Sequence, residues 1–355
     1  MLNNRYNVVG VMSGTSLDGV DLAHLKFSVD EGHWSFEILE AQTITYSDFW
    51  VNQLKSAVDF SEQQLQKLNE DYTELLVHHI RDFIQKHQLK NLDAVCSHGH
   101  TILHQPQNGF TLQIGNLPEI AKHCGQTVVC DFRVQDVKLG GQGAPLVPIG
   151  DRLLFADYDY CLNLGGFSNV SFETPAGRIA FDISPVNTVL NFYAHQLGLV
   201  YDDRGTIARS GQLNPMLLKA LNELDYYQLA YPKSLGIEYV KNTLLPLIEK
   251  FEIPTEDKLH TFVQHIAYQT ALALPKKTGK LLATGGGAYH DFLMHHLRSE
   301  LPEMEIEIPS AKILEYKEAL IFGLLGVLKL RGEINVLSSV TGAKKDHSSG
   351  LVYKI

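Results

Sequence analysis

Val8-Val9-Gly10-Val11-Met12-Ser13-Gly14-Thr15-Ser16-Leu17-Asp18-Gly19-Val20-Asp21 carries one apolar run into a short polar turn, and Leu22-Ala23-His24-Leu25-Lys26-Phe27 leads straight out of it. The pattern predicts strand, tight turn, strand. Gly14 and Gly19 are expected to leave room for a ligand to approach the backbone, and Thr15 and Ser16 to set hydroxyls beside exposed N–H groups, which suits a phosphate. An ordinary β-hairpin with a polar tip fits the spacing slightly better, since glycine-rich turns are common and this one is neither a Walker loop nor GxGxxG.

Working outward, the turn Asp30-Glu31-Gly32 and a third strand near Trp34–Leu39 complete a meander. The period then changes: Leu65, Leu68, Tyr72, Leu75, Leu76, His79, Phe83 and Ile84 recur at helical steps behind a capping box at Ser61 and Gln64. Short strands are expected near Asp93–Ser97, Phe110–Ile114 and Thr127–Cys130, with a helix near Pro118–His123. From 131 to 150 periodicity disappears, which predicts a functional loop at a domain junction or cleft rim. Leu162-Asn163-Leu164-Gly165-Gly166-Phe167-Ser168-Asn169, followed by Arg178–Asp182, repeats the strand, glycine turn, strand of the opening, a weak internal duplication. Helices are expected near Asn187–Leu197, Asn214–Leu224, Tyr239–Phe251 and Asp257–Leu274. A buried strand then ends in Gly285-Gly286-Gly287, and a last helix spans about Leu314–Leu330. The boundaries expected are 1–150 for a first α/β lobe and 151–331 for a second. The polar tail 332–355 is expected to be partly mobile or to return to the first lobe.

At 355 residues the chain has length for about two domains. Its net charge of −10 and the lack of a basic run argue against nucleic acid. Residues 1–7 hold no apolar signal core, and the apolar run Ala319–Leu328 is shorter than the ~20 residues of a membrane span. Cys96, Cys124, Cys130 and Cys161 are scattered, as expected of buried free thiols in a reducing compartment, which predicts a cytoplasmic protein.

Two α/β halves, each opening on a glycine-turned hairpin, predict a cleft that clasps a nucleotide, with Gly285–Gly287 as a third contact at a strand's carboxyl end. Each glycine cluster alone is also simple turn chemistry. Here the residues carry a resemblance. Gly10–Ser16 resembles the first phosphate loop of the sugar kinase/actin/chaperone ATPase superfamily. The blocks GVMSGTSLDGVD (10–21), SHGHT (97–101), TLQIG (111–115), DFR (131–133), LGGQGAPLVP (139–148), LNLGGFSN (162–169), PKSLGIEY (232–239), GGG (285–287), KEALIF (317–322) and SVTGA (339–343) resemble the anhydro-N-acetylmuramic acid kinase family in that order.

The resemblance implies a two-lobed actin/hexokinase-like (RNase H-like) fold with a central cleft. It also implies an ATP- and Mg²⁺-dependent kinase that opens the 1,6-anhydro ring with water while phosphorylating the released oxygen. By motif match the base is Asp182. ATP contacts fall on Gly14, Thr15, Ser16, Leu17, Asp18, Gly19, Val20, Asp21, Gly165, Gly166, Asn169, Gly285, Gly286 and Gly287. Substrate contacts fall on Arg133 (for the lactyl carboxylate), Glu318, His98 and Asn187. Met12 stands where the wider superfamily has a magnesium-binding aspartate, which leaves Asp18 and Asp182 as metal candidates. A homodimer is implied as well. HxHxxxH at His98, His100 and His104 suggests zinc by type, but the spacing is loose and positioning of substrate or loop is the better reading; in the family, position 100 is usually Gln. The family's DTGPGN reads Asp182-Ile183-Ser184-Pro185-Val186-Asn187 here, and a positive φ at either lost glycine would strain Ser184 or Val186. Two other readings remain open: a kinase of another anhydrosugar such as 1,6-anhydroglucose, or a non-catalytic nucleotide or sugar sensor.

Overall fold

The computed structural model describes residues 3–355; Met1 and Leu2, at the head of the segment read for a signal core, lie outside them. Its strands are β1 (Arg5–Met12), β2 (Gly19–Asp30), β3 (His33–Thr45), β4 (Ala94–Ser97), β5 (His100–Gln105), β6 (Phe110–Ile114) and β7 (Val128–Cys130). They continue with β8 (Tyr160–Leu164), β9 (Phe167–Thr174), β10 (Gly177–Pro185), β11 (Gly279–Thr284), β12 (Met304–Glu307) and β13 (Leu351–Tyr353).

One sheet has the order β13-β7-β4-β1-β2-β3, with β1, β2 and β3 antiparallel and β1, β4 and β7 parallel. The other runs β10-β9-β8-β11-β12, again an antiparallel meander followed by two parallel strands. Order and sense repeat, so the duplication read from the two glycine turns is a duplication of fold. This is the expected RNase H-like class.

The compact units are Met1–Leu154 with Glu315–Ile355, and Phe155–Leu314. The boundary expected at 150 falls four residues later, and the last helix, expected in the second lobe, counts with the first unit from Glu315 onward. Glycine explains that placement. A Cβ on Gly10 would stand 2.1 Å from the Ala319 carbonyl oxygen, and one on Gly326 2.2 Å from Cys96 Sγ. The Ala311–Arg331 helix therefore presses onto β1 and β4 where side chains would keep it off. Its apolar stretch from Ala319 to Leu328 is buried among unit 1 strands.

In unit 1 the Glu62–Lys86 helix, capped by Ser61 and Gln64 as expected, lays Tyr72, Leu76, Ile80 and Phe83 against Val9, Val11 and Leu22. In unit 2 the Thr255–Ala273 helix lays Phe262 and Ile266 against Leu162, Val170 and Phe181. Other expectations need correction. The third strand runs on to Thr45, and β5 pairs with β6 in an unexpected hairpin. The segment 131–150 is not loop throughout; it holds helices Val134–Lys138 and Pro148–Leu154. The tail, expected to be partly mobile or to return to the first lobe, is docked on unit 1, with β13 on β7 and buried Asn335 and Ser349 joined through Ser349 N–H to Asn335 Oδ1 at 2.7 Å. All four cysteines are buried and free.

Candidate functional site

In unit 1 the Gly14–Asp18 turn joins β1 to β2. Leu17 adopts φ 63° and donates its N–H to the Gly14 carbonyl at 3.3 Å, a conformation that costs a non-glycine residue energy. Beneath the turn, buried Ser13 hydrogen-bonds Tyr46 Oη at 2.6 Å and His100 Nδ1 at 2.7 Å, and Tyr46 meets Tyr72. Thr15, Ser16 and Asp18 are exposed. The two glycines divide the work. A Cβ on Gly14 would meet only Ser16 Oγ, at 3.6 Å, whereas one on buried Gly19 would strike the Ile44 carbonyl oxygen at 2.3 Å. Gly19 makes room for β3 rather than for a ligand, against expectation.

Asp21 lies opposite Met12 in the β1–β2 register, so the two side chains share a face. Burial raises the Asp21 carboxyl pKa, the Thr43 hydroxyl bonded to it at 2.6 Å opposes, and Asp18 and Glu315 push it further up. A carboxylate thus stands beside the position that Met12 leaves without one.

Arg133 follows β7. Its Nε–H donates to His98 Nε2 at 2.9 Å and its Nη1 to the Gly143 carbonyl at 2.7 Å, while the guanidinium lies 5.9 Å from the centre of the Phe322 ring. Nη2 has no protein partner among the described residues. Desolvation lowers the Arg133 pKa to about 10, with Glu318 and Asp136 opposing, and the group stays charged. Gly143 is held in turn by the fully buried Asp136, which accepts from Gly143 N at 2.7 Å and from Thr341 Oγ1 at 2.7 Å. LGGQGAPLVP and SVTGA are therefore braces behind Arg133. Glu318 sits one residue before the carbonyl seated on Gly10; it is open to solvent but crowded by protein, which raises its carboxyl pKa against the pull of Arg133.

His98 is buried and supports Arg133 instead of facing outward. Its other nitrogen, Nδ1, donates to Gly99 O at 2.9 Å. Desolvation and then the Arg133 charge hold its pKa well below the usual value. His100 turns to Ser13 and His104 to Thr111, so the three histidines of HxHxxxH serve three separate partners.

In unit 2 Asp182 lies near the end of β10, opposite Asn169 of β9 and next to a bulge before Ser184. Its Oδ2 accepts from Leu235 N–H at 2.9 Å. Burial raises its pKa and that bond opposes. The altered DISPVN turn avoids the left-handed region: neither Ser184 nor Val186 has positive φ, and Val186 caps a helix at φ −128°, ψ −97°. Gly165 and Gly166 give their carbonyls to the N–H groups of Asn187 at 3.2 Å and Val186 at 2.8 Å. The glycine turn is thus bolted to the start of the Asn187–Gln196 helix.

The three glycines after β11 also differ. A Cβ on Gly285 or Gly287 would collide with Asn163 or Leu164, whereas one on Gly286 would meet only Asn187 Nδ2, at 3.5 Å. Gly286 faces a cavity of about 380 Å³ lined also by Asn187, Asn191, Asp203, Arg204 and Tyr289. Sequence reasoning missed Asp203, Arg204 and Tyr289; a positive φ at Arg204 has no sequence signature. Asn187 belongs to this glycine-lined cavity, and its Nδ2 donates to Leu164 O at 3.3 Å. Of the metal candidates, Asp18 belongs to unit 1 and Asp182 to unit 2. No group of three or more His, Cys, Asp or Glu fit to hold a metal occurs among the described residues.

A sequence profile described as anhydro-N-acetylmuramic acid kinase matches residues 6–355. The anhydro-N-acetylmuramic acid kinase of Actinobacillus pleuropneumoniae serotype 3 is 34% identical over 376 residues, covering 99% of this chain and all of that protein. That of Pseudomonas fluorescens is 34% identical over 97% of this chain and 98% of its own length. Among solved structures, the (R)-2-hydroxyglutaryl-CoA dehydratase component A of Acidaminococcus fermentans aligns at TM-score 0.47 and 11% identity, over 92% of this chain and 99% of that one.

Proposed function

The chain belongs to the anhydro-N-acetylmuramic acid kinase family, and on that premise we propose how its residues perform the reaction. It is an ATP-using phosphotransferase that opens the 1,6-anhydro bond of 1,6-anhydro-N-acetylmuramic acid and phosphorylates O6, giving N-acetylmuramic acid 6-phosphate. Asp182 takes a proton from water as the water oxygen bonds to C1. The C1–O6 bond breaks, O6 bonds to the γ-phosphorus of ATP, and ADP leaves with the bridging oxygen. The observation that carries this role is a carboxylate with one oxygen hydrogen-bonded, the other without a partner among the described residues, and a pKa raised by burial.

Arg133 grips the lactyl carboxylate through Nη2, which no other described residue engages. A bidentate or charge-assisted pair at that point favours an acidic sugar over 1,6-anhydroglucose. Glu318 accepts from sugar hydroxyls beside it. The Gly14–Asp18 turn and Gly165–Gly166 receive phosphates, with Asn169 beside them on β9, and Gly286 lets the nucleotide lie against the Asn187–Tyr289 cavity. Mg²⁺ keeps several waters and asks for only one or two carboxylates, so exposed Asp18 with Asp21 beside it fits such an ion, which would neutralise phosphate charge when bound. Asp182, with Oδ2 committed and Oδ1 needed for the proton, is better kept as the base.

A homodimer and a cytoplasmic location belong to the same proposal. The family resemblance supports the first; four free buried thiols support the second. The test is ADP release from ATP and the anhydro sugar by wild type and Asp182→Asn. The variant is expected to bind nucleotide and lose turnover; near-normal turnover would remove Asp182 as the base.

A further inference from the structure

The block Pro232–Tyr239 is one of those that carry the family resemblance, and the reaction as described gives it no task. It runs without regular structure until Ile237, and Tyr231, Pro232, Ser234 and Gly236 are exposed. Yet this surface segment is where β10 finds its edge partners at residue 182. Asp182 N–H donates to Lys233 O at 3.1 Å, Leu235 N–H to Asp182 Oδ2 at 2.9 Å, and Tyr226 Oη–H to Asp182 O at 2.6 Å. The segment is braced on itself: Lys233 Nζ donates to Tyr226 O at 3.3 Å and lies 4.6 Å from the centre of the Tyr226 ring. Next door, Tyr231 stacks on Phe181 at 5.2 Å with 10° between the rings.

We propose that Tyr226–Leu235 is a strap that orients the Asp182 carboxylate, with Leu235 as a positioning residue acting through its backbone N–H. The proposal rests on Asp182 being the base. The bulge after Asp182 breaks the β9–β10 register, so the ladder alone does not fix the side chain. The strap supplies what the ladder lacks. With Oδ2 occupied, Oδ1 is the oxygen that receives the proton from water. A hydrogen bond to the charged form also holds the carboxylate ionised against its burial. Lys233 and Tyr226 are the titratable groups facing Asp182, with Tyr227, Tyr239 and Asp225 behind Tyr226. Because Leu235 contributes its N–H, the side chain at 235 is free to vary while the bond persists.

Leu235→Pro removes the donor and Leu235→Ala retains it. In pH profiles of kcat/KM with the anhydro sugar, the acidic limb of Leu235→Pro is expected at higher pH than that of Leu235→Ala. Activity on that limb should be about tenfold lower, the size of one lost bond to a charged acceptor. ATP titrates identically in both variants, so the comparison cancels it. Coincident limbs would overturn the strap. Proline can unsettle the segment, so a second measurement avoids it: amide hydrogen exchange over 232–239 in Asp182→Ala and Asp182→Asn. Asparagine still offers an oxygen to Leu235 N–H, so exchange should match wild type in Asp182→Asn and speed up in Asp182→Ala. Equal protection in the two variants would also overturn it. Near-normal turnover by Asp182→Asn would instead sink the base assignment, whatever the exchange shows.

Discussion

Arg133 and His98 are joined by one hydrogen bond of 2.9 Å, from Nε–H to Nε2, and that bond fixes which tautomer the histidine holds. With Nε2 accepting, Nδ1 must carry the proton, and it donates to Gly99 O. A protonated imidazole could not accept from the guanidinium. The neutral state imposed by burial is therefore the state in which His98 can aim Arg133.

His98→Ala should let the guanidinium rotate off the Gly143 carbonyl. KM for the acidic anhydro sugar is expected to rise about tenfold, the scale of a charge-assisted hydrogen bond, with KM for ATP unchanged. Steady-state kinetics with each substrate varied in turn would check it; equal rises in both KM values would show a general structural loss.

Thr341 acts on the same arginine through three hydrogen bonds, by way of Asp136 and Gly143. Thr341→Val keeps shape and deletes the donor to Asp136, leaving a buried carboxylate one partner short. A loss of about 1–3 kcal/mol is expected in urea unfolding, together with a weaker grip on the acidic sugar. A variant as stable as wild type would show that Asp136 is satisfied without it.

Local chemistry was the legible part of the chain. Ser61 and Gln64 announce a helix start because both partners of that cap lie within four residues. The glycine turns announce a duplicated fold because each sits between two apolar runs of strand length, at the start of its half. What stayed hidden was contact across distance. Gly19 and Gly285 read as ligand space, but neighbouring strands fill that space. The polar tail reads as partly mobile or returning to the first lobe, but nothing local names its partner: buried Ser349 donates its Oγ–H at 2.7 Å to the Phe132 carbonyl, 217 residues earlier. Leu235 holds Asp182 through its backbone, which no residue type reveals.

Gly10→Ala should be severe for so small a change. The new methyl would stand 2.1 Å from a helix carbonyl that cannot move without carrying Glu318 along. A loss of about 3 kcal/mol is expected by denaturant melt, with activity falling as well. Gly14→Ala, where the nearest atom is 3.6 Å away, should leave stability nearly unchanged while weakening ATP binding.

His100 gives a pH dependence. Burial lowers its pKa from 6.5 to about 4, so the unfolded chain binds this proton more readily than the folded one. Its contribution is intact above pH 6.5 and is lost as pH falls toward 4. His100→Gln should flatten the fall in stability across that window by up to about 1.4 kcal/mol per pH unit, measured by urea midpoints at stepped pH.

The carbonyl of Ala319 on Gly10, and β13 on β7, have a consequence for how the chain is made. Unit 2 is continuous, whereas unit 1 needs both ends of the polypeptide. A ribosome delivers Val9, Val11 and Cys96 long before the helix that covers them. The first half must therefore wait, its sheet open on one face, while the second is synthesised and able to fold. A stop codon at Glu315 would thus spare the Asp182 half and leave the Arg133 half unfinished.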